Sequence, residues 1–274
     1  YSGLTIYDIL KGECMNVKGK TVLVTGATSG IGEACAEAFA AKGARLVLAA
    51  RRKGLLEERA ARLAKDYGAA VETFELDVRD RKAVFAFASE LEARKLTPDV
   101  LVNNAGLARG LSKLHEGNVD DWEEMIDTNL KGLLYVSRAV LPAMVARNYG
   151  HIVNIGSLAG RMVYPAGNVY NATKFAVDAL SEAMNIDLAG TKIRASVIDP
   201  GMVKTNFSAV RFGEDAARAE AVYAGVEYLT GKDIALAVLF VVEAPDHVNI
   251  QNMLIMPVDQ RNSYVIHRAA AQKQ

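Results

Sequence analysis

The chain has 274 residues, about half of them hydrophobic, and its 32 basic and 32 acidic side chains leave no formal net charge. This neutral balance argues against a nucleic acid or an anionic membrane as the main partner. No apolar run approaches the roughly 18 residues of a membrane-spanning helix, and the first residues lack the basic and apolar regions of a secretory signal. We therefore expect a cytoplasmic protein whose partner is a small molecule.

The thiol and imidazole side chains give no sign of a disulfide or a metal site. The two cysteines are Cys14 and Cys35, and we expect both to be free thiols in a reducing compartment. The four histidines are far apart in the sequence and none repeats at the spacing of metal ligands. We expect no metal site.

Strand-like apolar runs alternate with helix-length segments along the chain. The predicted strands cover residues 21–25, 45–49, 71–76, 99–102, 151–155, 193–198 and 251–255. The predicted helices cover residues 33–41, 55–67, 80–94, 169–188 and 231–243, with one or two more over residues 119–147. Continuous apolar strands between helices indicate a parallel sheet covered on both faces. With right-handed crossovers this is a Rossmann-type α/β fold, a doubly wound parallel sheet with helices on both faces.

No linker, repeat or low-complexity stretch interrupts this alternation. We predict a single domain over residues 20–274, after an extension at residues 1–19 that is either native or artificially added. The least regular stretch is 200–230, where α/β enzymes commonly place substrate loops.

A glycine-rich turn joins the first strand to the first helix. Glycines permit a tight turn and let backbone N–H groups approach a pyrophosphate, and a helix N-terminus favours the anion. A glycine-rich turn taken alone fits a plain turn equally well, but this position in the chain favours a dinucleotide site. The predicted contacts are Gly26, Thr28, Ser29, Gly30, Ile31 and Gly32.

The end of the second strand favours NADP over NAD. Sites that prefer NAD usually carry an acidic residue there for the ribose 2′-hydroxyl, and this chain has Ala50 instead, followed by Arg51 and Arg52. An arginine at this place can pair with a 2′-phosphate. The alternative is that the two arginines are solvated charges at the start of a helix.

Polar residues also end the third and fourth strands. Asp77 either accepts a hydrogen bond from the adenine amino group or caps the helix that starts near Asp80. The fourth strand is followed by Asn104, Ala105 and Gly106. These three residues fit a loop that touches the cofactor, because ligands bind at the carboxyl edge of such sheets, although a plain turn would look similar.

Ser157, Tyr170 and Lys174 form the predicted acid/base site. Tyr170 and Lys174 are four residues apart on a helical segment and share a face, and Ser157 follows the strand before that helix. Hydride transfer to a ketone needs a proton donor, and a nearby ammonium would lower the pKa of a tyrosine from its ordinary value of about 10. Lys174 could also donate to the nicotinamide ribose, and Ser157 would hold the substrate oxygen. Without Ser157, the Tyr–Lys pair would read as an ordinary helix surface pair.

Together these features resemble the short-chain dehydrogenase/reductase family over about residues 20–258. Residues 25–32 (TGATSGIG) and 103–106 (NNAG) match the family's cofactor motifs, and the serine, tyrosine and lysine match its active site. The resemblance implies that Asn129 is a fourth catalytic residue, which in the family holds a water that links the lysine to solvent. It also implies cofactor contacts at Val78, Tyr170, Lys174, Pro200, Gly201, Val203 and Thr205.

Several stretches, among them 121–129 (DWEEMIDTN) and 139–147 (AVLPAMVAR), are similar to one subgroup, the bacterial NADP-dependent 3-hydroxy acid dehydrogenases or serine 3-dehydrogenases. This similarity implies oxidation of serine, allo-threonine or 3-hydroxyisobutyrate by a homotetramer, with helices from residues 119–147 and 169–188 between subunits. A hydroxy acid needs a cation for its carboxylate. Arg211 is the first candidate and Arg161 the second, beside Ser157 and Tyr170 as substrate contacts, although both could be ordinary surface arginines.

Two other functions stay open. A 3-oxoacyl thioester reductase or a general carbonyl reductase of the same family would have an apolar substrate channel without a carboxylate partner. A non-catalytic NADP-binding protein on the same fold would usually have lost a residue of the acid/base site, and none is lost here.

Overall fold

Apolar strands at regular intervals along the chain pair into one central parallel sheet. The computed structural model describes residues 16–213 and 215–269. Within them the strands are β1 (Thr21–Thr25), β2 (Arg45–Ala50), β3 (Val71–Glu75), β4 (Val100–Asn103), β5 (Gly150–Ile155), β6 (Ile193–Pro200), β7 (Val203–Lys204), β8 (Leu229–Thr230) and β9 (Asn252–Ile255). The order across the sheet is β3-β2-β1-β4-β5-β6-β9, and all pairs are parallel. The predicted doubly wound fold is confirmed.

Helices cover both faces of this sheet. They are α1 (Gly30–Ala41), α2 (Lys53–Tyr67), α3 (Arg81–Ala93), α4 (Val119–Ile126), α5 (Leu133–Arg147), α6 (Asn168–Asp187), α7 (Phe207–Phe212), α8 (Ala216–Ala221) and α9 (Gly231–Val242). Alternate side chains of each strand enter opposite cores. In β1, Val22 and Val24 pack with α1, α2 and α9, whereas Leu23 packs with α3, α5 and α6.

The boundaries of some elements differ from the sequence prediction. Residues 119–147 form two α-helices joined by a π-helical turn, Asp127–Gly132. The stretch that looked irregular contains α7 and α8, and its two ends pair as β7 and β8. Val17 is buried in the core, although the sequence placed it in the N-terminal extension.

Neither the described cysteine nor the lengths of the helices point to a function. Cys35 is a free, fully buried thiol, and burial raises its pKa to about 12, so it stays protonated and unreactive. Cys14 lies outside the described residues. None of the helices in the described ranges is long and apolar enough to cross a bilayer.

We expect Leu101→Ala to lower the free energy of unfolding by about 2–5 kcal/mol, because Leu101 is completely buried in the central strand β4 and its truncation leaves a cavity. Urea denaturation measures this change. Leu114→Ala, at an exposed leucine, should change the same free energy by less than about 0.5 kcal/mol. Equal losses in the two variants would contradict this packing.

Candidate active site

A cavity of about 710 Å³ runs along the carboxyl edge of the sheet. Most of the residues that the sequence assigned to cofactor or substrate lie on its wall. They are Gly26, Thr28, Ser29, Gly30, Ile31, Arg51, Arg52, Asp77, Val78, Asn104, Ala105, Gly106, Ser157, Tyr170, Lys174, Pro200, Gly201, Val203, Thr205 and Arg211. Gly32, Asn129 and Arg161 lie off this wall.

The glycine turn is fixed by the loop that follows β4. Asn104 Nδ2 donates to the carbonyl oxygens of Thr25 and Gly26 at 2.9 and 3.2 Å. Thr25 Oγ1 accepts from the backbone N–H groups of Asn104 and Ala105, both at 3.1 Å. A Cβ on Gly32 would lie 2.4 Å from Asn104 Nδ2. Gly32 therefore permits close packing behind the turn, while its neighbours face the cavity.

The start of α1 and two arginines form the cationic end of the cavity. Ser29 precedes α1 and its side chain makes no cap, so it leaves the first backbone N–H groups of the helix available to an anion. Arg52 Nη2 donates to Thr28 Oγ1 at 2.8 Å and to Ser29 Oγ at 3.2 Å. Arg51 is half-exposed, and its Nη1 lies 3.8 Å from Glu124 Oε1. These donors fit the phosphates of a dinucleotide.

Asp77 lies on the cavity wall, where a contact to adenine is expected. Arg79 donates to both of its carboxylate oxygens, with Nη2 to Oδ2 at 2.6 Å. Burial favours the protonated acid, but the hydrogen bonds from Arg79 outweigh it and hold the pKa of Asp77 below its ordinary value. The alternative that Asp77 caps the next helix is wrong, because Asp80 is the capping residue and accepts from the Ala83 N–H at 3.0 Å.

Ser157, Tyr170 and Lys174 meet at the middle of the cavity. The hydroxyl of Ser157 lies close enough to the Tyr170 phenol to lower its pKa. Lys174 Nζ donates to the carbonyl oxygen of Ile155 at 2.8 Å and lies 5.9 Å from the centroid of the Tyr170 ring. Tyr170 and Lys174 are both buried, on one face of α6.

The pKa of Tyr170 departs from the sequence expectation. Burial raises this pKa well above its ordinary value, and the Ser157 hydroxyl and the charge of Arg211 lower it in part. Burial lowers the pKa of Lys174 to about 8. The Tyr170 phenol is therefore protonated near neutral pH in this structure, as a proton donor requires.

Asn129 lies in the π-helical turn between α4 and α5. Its Nδ2 donates to Leu107 O at 2.8 Å and to Thr173 Oγ1 at 3.1 Å, and its Oδ1 accepts from Leu107 N–H at 2.8 Å. A π-helical turn often marks a functional site in a helix. Asn129 thus ties the turn to α6 and to the loop after β4, beside the site; its part in a proton relay stays a prediction.

Arg211 and Tyr164 form a polar pair on the cavity wall, beside Tyr170. Arg211 Nη2 donates to Tyr164 Oη at 2.7 Å, and its Nε donates to Gly110 O at 3.1 Å. The guanidinium carbon lies 5.3 Å from the centroid of the Tyr170 ring. Among the described residues Arg211 has no ion pair with a carboxylate, so its charge is available to a ligand.

Arg161 does not reach this cavity. Its Nε donates to Asp199 Oδ2 at 2.9 Å, and the same Nε lies 3.2 Å from Asp178 Oδ2. The geometry therefore does not support Arg161 as a ligand of the substrate carboxylate, because two acidic side chains already hold its charge.

Sequence reasoning missed three parts of the site. Tyr164 is one, and Asp199, which accepts from the Ser157 N–H at 2.9 Å, is another. Asp199 could have been found, because it stands at the end of a strand directly before the Pro-Gly pair. The third is the C-terminal segment, which closes one side of the cavity with Gln260, Ser263, Ile266 and Arg268. No local motif marks this segment.

Comparison with known proteins decides the family. Residues 20–215 match the family model described as short chain dehydrogenase. The chain belongs to this family. The NADP-dependent 3-hydroxy acid dehydrogenase of Salmonella typhi is 49% identical over 240 residues, 87% of this chain and 95% of that protein. The protein of that description from Schizosaccharomyces pombe is 41% identical over 254 residues, 92% of this chain and 98% of that protein.

Solved structures agree with this assignment. A closed form of serine dehydrogenase complexed with NADP+ matches with a TM-score of 0.84 at 46% identity, over 90% of this chain and 99% of that one. An alcohol dehydrogenase of Thermococcus sibiricus complexed with 5-hydroxy-NADP matches with a TM-score of 0.80 at 31% identity, over 90% of this chain and 100% of that one. The predictions of an oxidoreductase that acts on CH–OH groups and of NADP as its cofactor are confirmed.

We expect Arg51→Ala to weaken NADP binding about tenfold or more and to change NAD binding little. A charge-assisted hydrogen bond contributes about 1.5–3 kcal/mol, and about 1.4 kcal/mol is a factor of ten. Fluorescence titration with the reduced cofactors, NADPH and NADH, measures both dissociation constants. Arg45→Ala, at an exposed arginine that begins the same strand, is the matched control. Equal weakening of NADP and NAD would contradict a contact to the 2′-phosphate.

Proposed function

We propose that the protein transfers a hydride between NADP and a short 3-hydroxy acid of the serine, allo-threonine or 3-hydroxyisobutyrate type. The observation that carries this proposal is the position of Arg211. Its guanidinium borders the acid/base tyrosine and lacks a carboxylate partner in the part of the chain that the structure describes. A substrate held with its alcohol carbon at Ser157 and Tyr170 would place a nearby carboxylate at this cation.

Tyr170, Ser157 and Lys174 would each have a separate role in the reaction. When bound, NADP supplies or accepts the hydride. Tyr170 donates the proton to the developing alkoxide of a ketone and takes it back in the oxidation, and the Ser157 hydroxyl stabilises negative charge on the same oxygen. Lys174 supplies a buried positive charge beside Tyr170 and would hold the nicotinamide ribose.

The cofactor residues fall into two groups along the cavity. Those around the glycine turn, together with Arg51 and Arg52, would hold the phosphates, and Asp77 and Val78 would border the adenine. The second group would border the nicotinamide: Asn104, Ala105, Gly106, Pro200, Gly201, Val203 and Thr205. Asn129 would position Lys174 from the side of the π-helical turn.

Two relatives support the substrate class. The proteins from Salmonella typhi and Schizosaccharomyces pombe, 49% and 41% identical to this chain over 95% and 98% of their own length, are NADP-dependent 3-hydroxy acid dehydrogenases. The alternative of a 3-oxoacyl thioester or general carbonyl reductase draws support from apolar side chains on the cavity wall, among them Leu107, Phe207 and Ile266. A homotetramer that packs through α4–α6 and a cytoplasmic location stay predictions.

We expect Tyr170→Phe to lower kcat about 10²–10⁴-fold, because this is roughly what general acid–base catalysis contributes. The dissociation constant for NADP should change less than about threefold, since the change removes one hydroxyl from a largely preformed site. Tyr67→Phe, on the exposed face of α2, should leave both kcat and the dissociation constant for NADP unchanged. Turnover retained in Tyr170→Phe would exclude its assigned role.

We expect Arg211→Met to raise KM for a 3-hydroxy acid about tenfold or more, because the carboxylate loses a charge-assisted hydrogen bond. The kinetic constants for a neutral secondary alcohol should change little. Initial rates with L-serine, L-allo-threonine, 3-hydroxyisobutyrate and the neutral alcohol test this. Arg218→Met, at an exposed arginine of α8, is the control.

The same rates separate the alternatives. Wild-type activity on neutral alcohols or acyl thioesters alone would leave the family assignment intact and exclude the hydroxy acid. Equal losses on charged and neutral substrates in Arg211→Met would exclude Arg211 as the carboxylate ligand.

A further inference from the structure

Three charged side chains lie behind Ser157. Asp199, at the end of β6, is completely buried, and its Oδ1 accepts from the backbone N–H of Ser157 at 2.9 Å. Its Oδ2 accepts from Asn252 Nδ2 at 3.2 Å and from Arg161 Nε at 2.9 Å. One carboxylate thus connects the backbone of a catalytic residue to an arginine outside the cavity.

Arg161 joins this carboxylate to a second one. Its Nη2 lies 2.8 Å from Asp199 Oδ2, and its Nε lies 3.2 Å from Asp178 Oδ2. Asp178 follows Lys174 by one turn on α6, so the two side chains share a face of that helix. The ionic network Asp199–Arg161–Asp178 therefore joins the backbone of Ser157 to the face of α6 that carries Lys174.

Two glycines let this network approach the backbone. A Cβ on Gly156 would lie 1.9 Å from Asp199 Oδ1, and a Cβ on Gly160 would lie 2.9 Å from Asp178 Oδ2. Any side chain at Gly156 would push the Asp199 carboxylate away from the Ser157 N–H. The two glycines on either side of Ser157 therefore allow the carboxylates of Asp199 and Asp178 to approach the backbone closely.

The network also balances the charge of the catalytic lysine. The charges of Asp199, on β6, and of Asp178, on α6, both raise the pKa of Lys174 against the larger lowering effect of burial. Arg161, after β5, is paired with the same two carboxylates, and the Tyr170 ring, on the helix of the lysine, has its centroid 5.9 Å from Lys174 Nζ. Two carboxylates and two cations leave this group of charges neutral when all are ionised.

The acidic partner itself responds to pH. Burial and the charge of Asp199 raise the pKa of Asp178 to about 7, and Arg161 and Lys174 oppose this rise. The ion pair with Arg161 therefore favours the charged form of Asp178 against its burial.

We propose that Asp199, Arg161 and Asp178 are positioning residues that fix Ser157 from behind and keep Lys174 charged at the pH of the reaction. This inference rests on the acid/base chemistry of Ser157, Tyr170 and Lys174, and not on which alcohol is oxidised. None of the three residues touches the substrate.

The pH dependence of kcat tests the electrostatic part. Asp178→Asn keeps the size of the side chain and removes its charge, so Lys174 loses its proton at lower pH. We expect the basic limb of the kcat profile for alcohol oxidation to move down by about half a pH unit or more. Asp187→Asn removes the same charge from the exposed end of α6 and should leave the limb unchanged. A basic limb that does not move in folded Asp178→Asn would overturn this part.

A second pair of variants tests the positioning of Ser157. Arg161→Met removes the hydrogen-bonded ion pair that holds the Asp199 carboxylate. We expect kcat to fall about tenfold or more with little change in KM for NADP, because a misplaced catalytic group lowers the rate of the chemical step. Arg161→Lys keeps the charge and should retain most of the rate. Wild-type kcat in Arg161→Met, or the same loss in both variants, would overturn the positioning role.

The assay uses whichever alcohol the wild-type protein oxidises, and thermal unfolding confirms that each variant folds. A wild-type protein that oxidises a neutral alcohol and no hydroxy acid contradicts the proposed substrate, and the comparison of variants proceeds with the neutral alcohol. The two proposals can therefore fail separately.

Discussion

The site depends on the parallel pairing of β1, β4, β5 and β6. Because these neighbouring strands run in one direction, the residues that follow each of them emerge at the same edge of the sheet. Hydrogen bonds then tie the emerging segments together. The loop after β4 holds the glycine turn through Asn104, and Lys174 holds the end of β5 through the Ile155 carbonyl. Without a common strand direction these groups would lie at opposite ends of the molecule.

Burial at this edge determines the proton chemistry. Water is largely excluded from Tyr170, Lys174 and Asp199, and removal from water disfavours the charged form of each group. Burial keeps the Tyr170 phenol protonated, and it makes the Lys174 ammonium lose its proton more easily. The charge of Lys174 therefore depends on the carboxylates of Asp199 and Asp178. Both effects of burial disfavour the pair of phenolate and ammonium that the oxidation would use.

Arginines around the cavity differ in role because their partners differ. Arg52 holds two hydroxyl groups at the start of α1. Arg211 has a tyrosine and a backbone carbonyl as partners, and so its charge can be neutralised by a ligand. Arg161 already has two carboxylates. A guanidinium with an acidic partner positions other groups, whereas one without such a partner can recruit an anion.

The sequence by itself determined the doubly wound fold, and it predicted a cofactor turn and acid/base residues that the structure brings to one cavity. These features depend on short stretches of sequence, because apolar runs alternate with helical segments, and glycines or polar residues directly follow the strands. Tertiary structure alone decided that Arg161 turns away from the cavity, that Asp199 supports Ser157, and that the C-terminal segment closes the cavity. Each of these depends on contacts between residues that are distant in the chain. The local sequence around an arginine or an aspartate does not indicate which residue will be its partner in the fold.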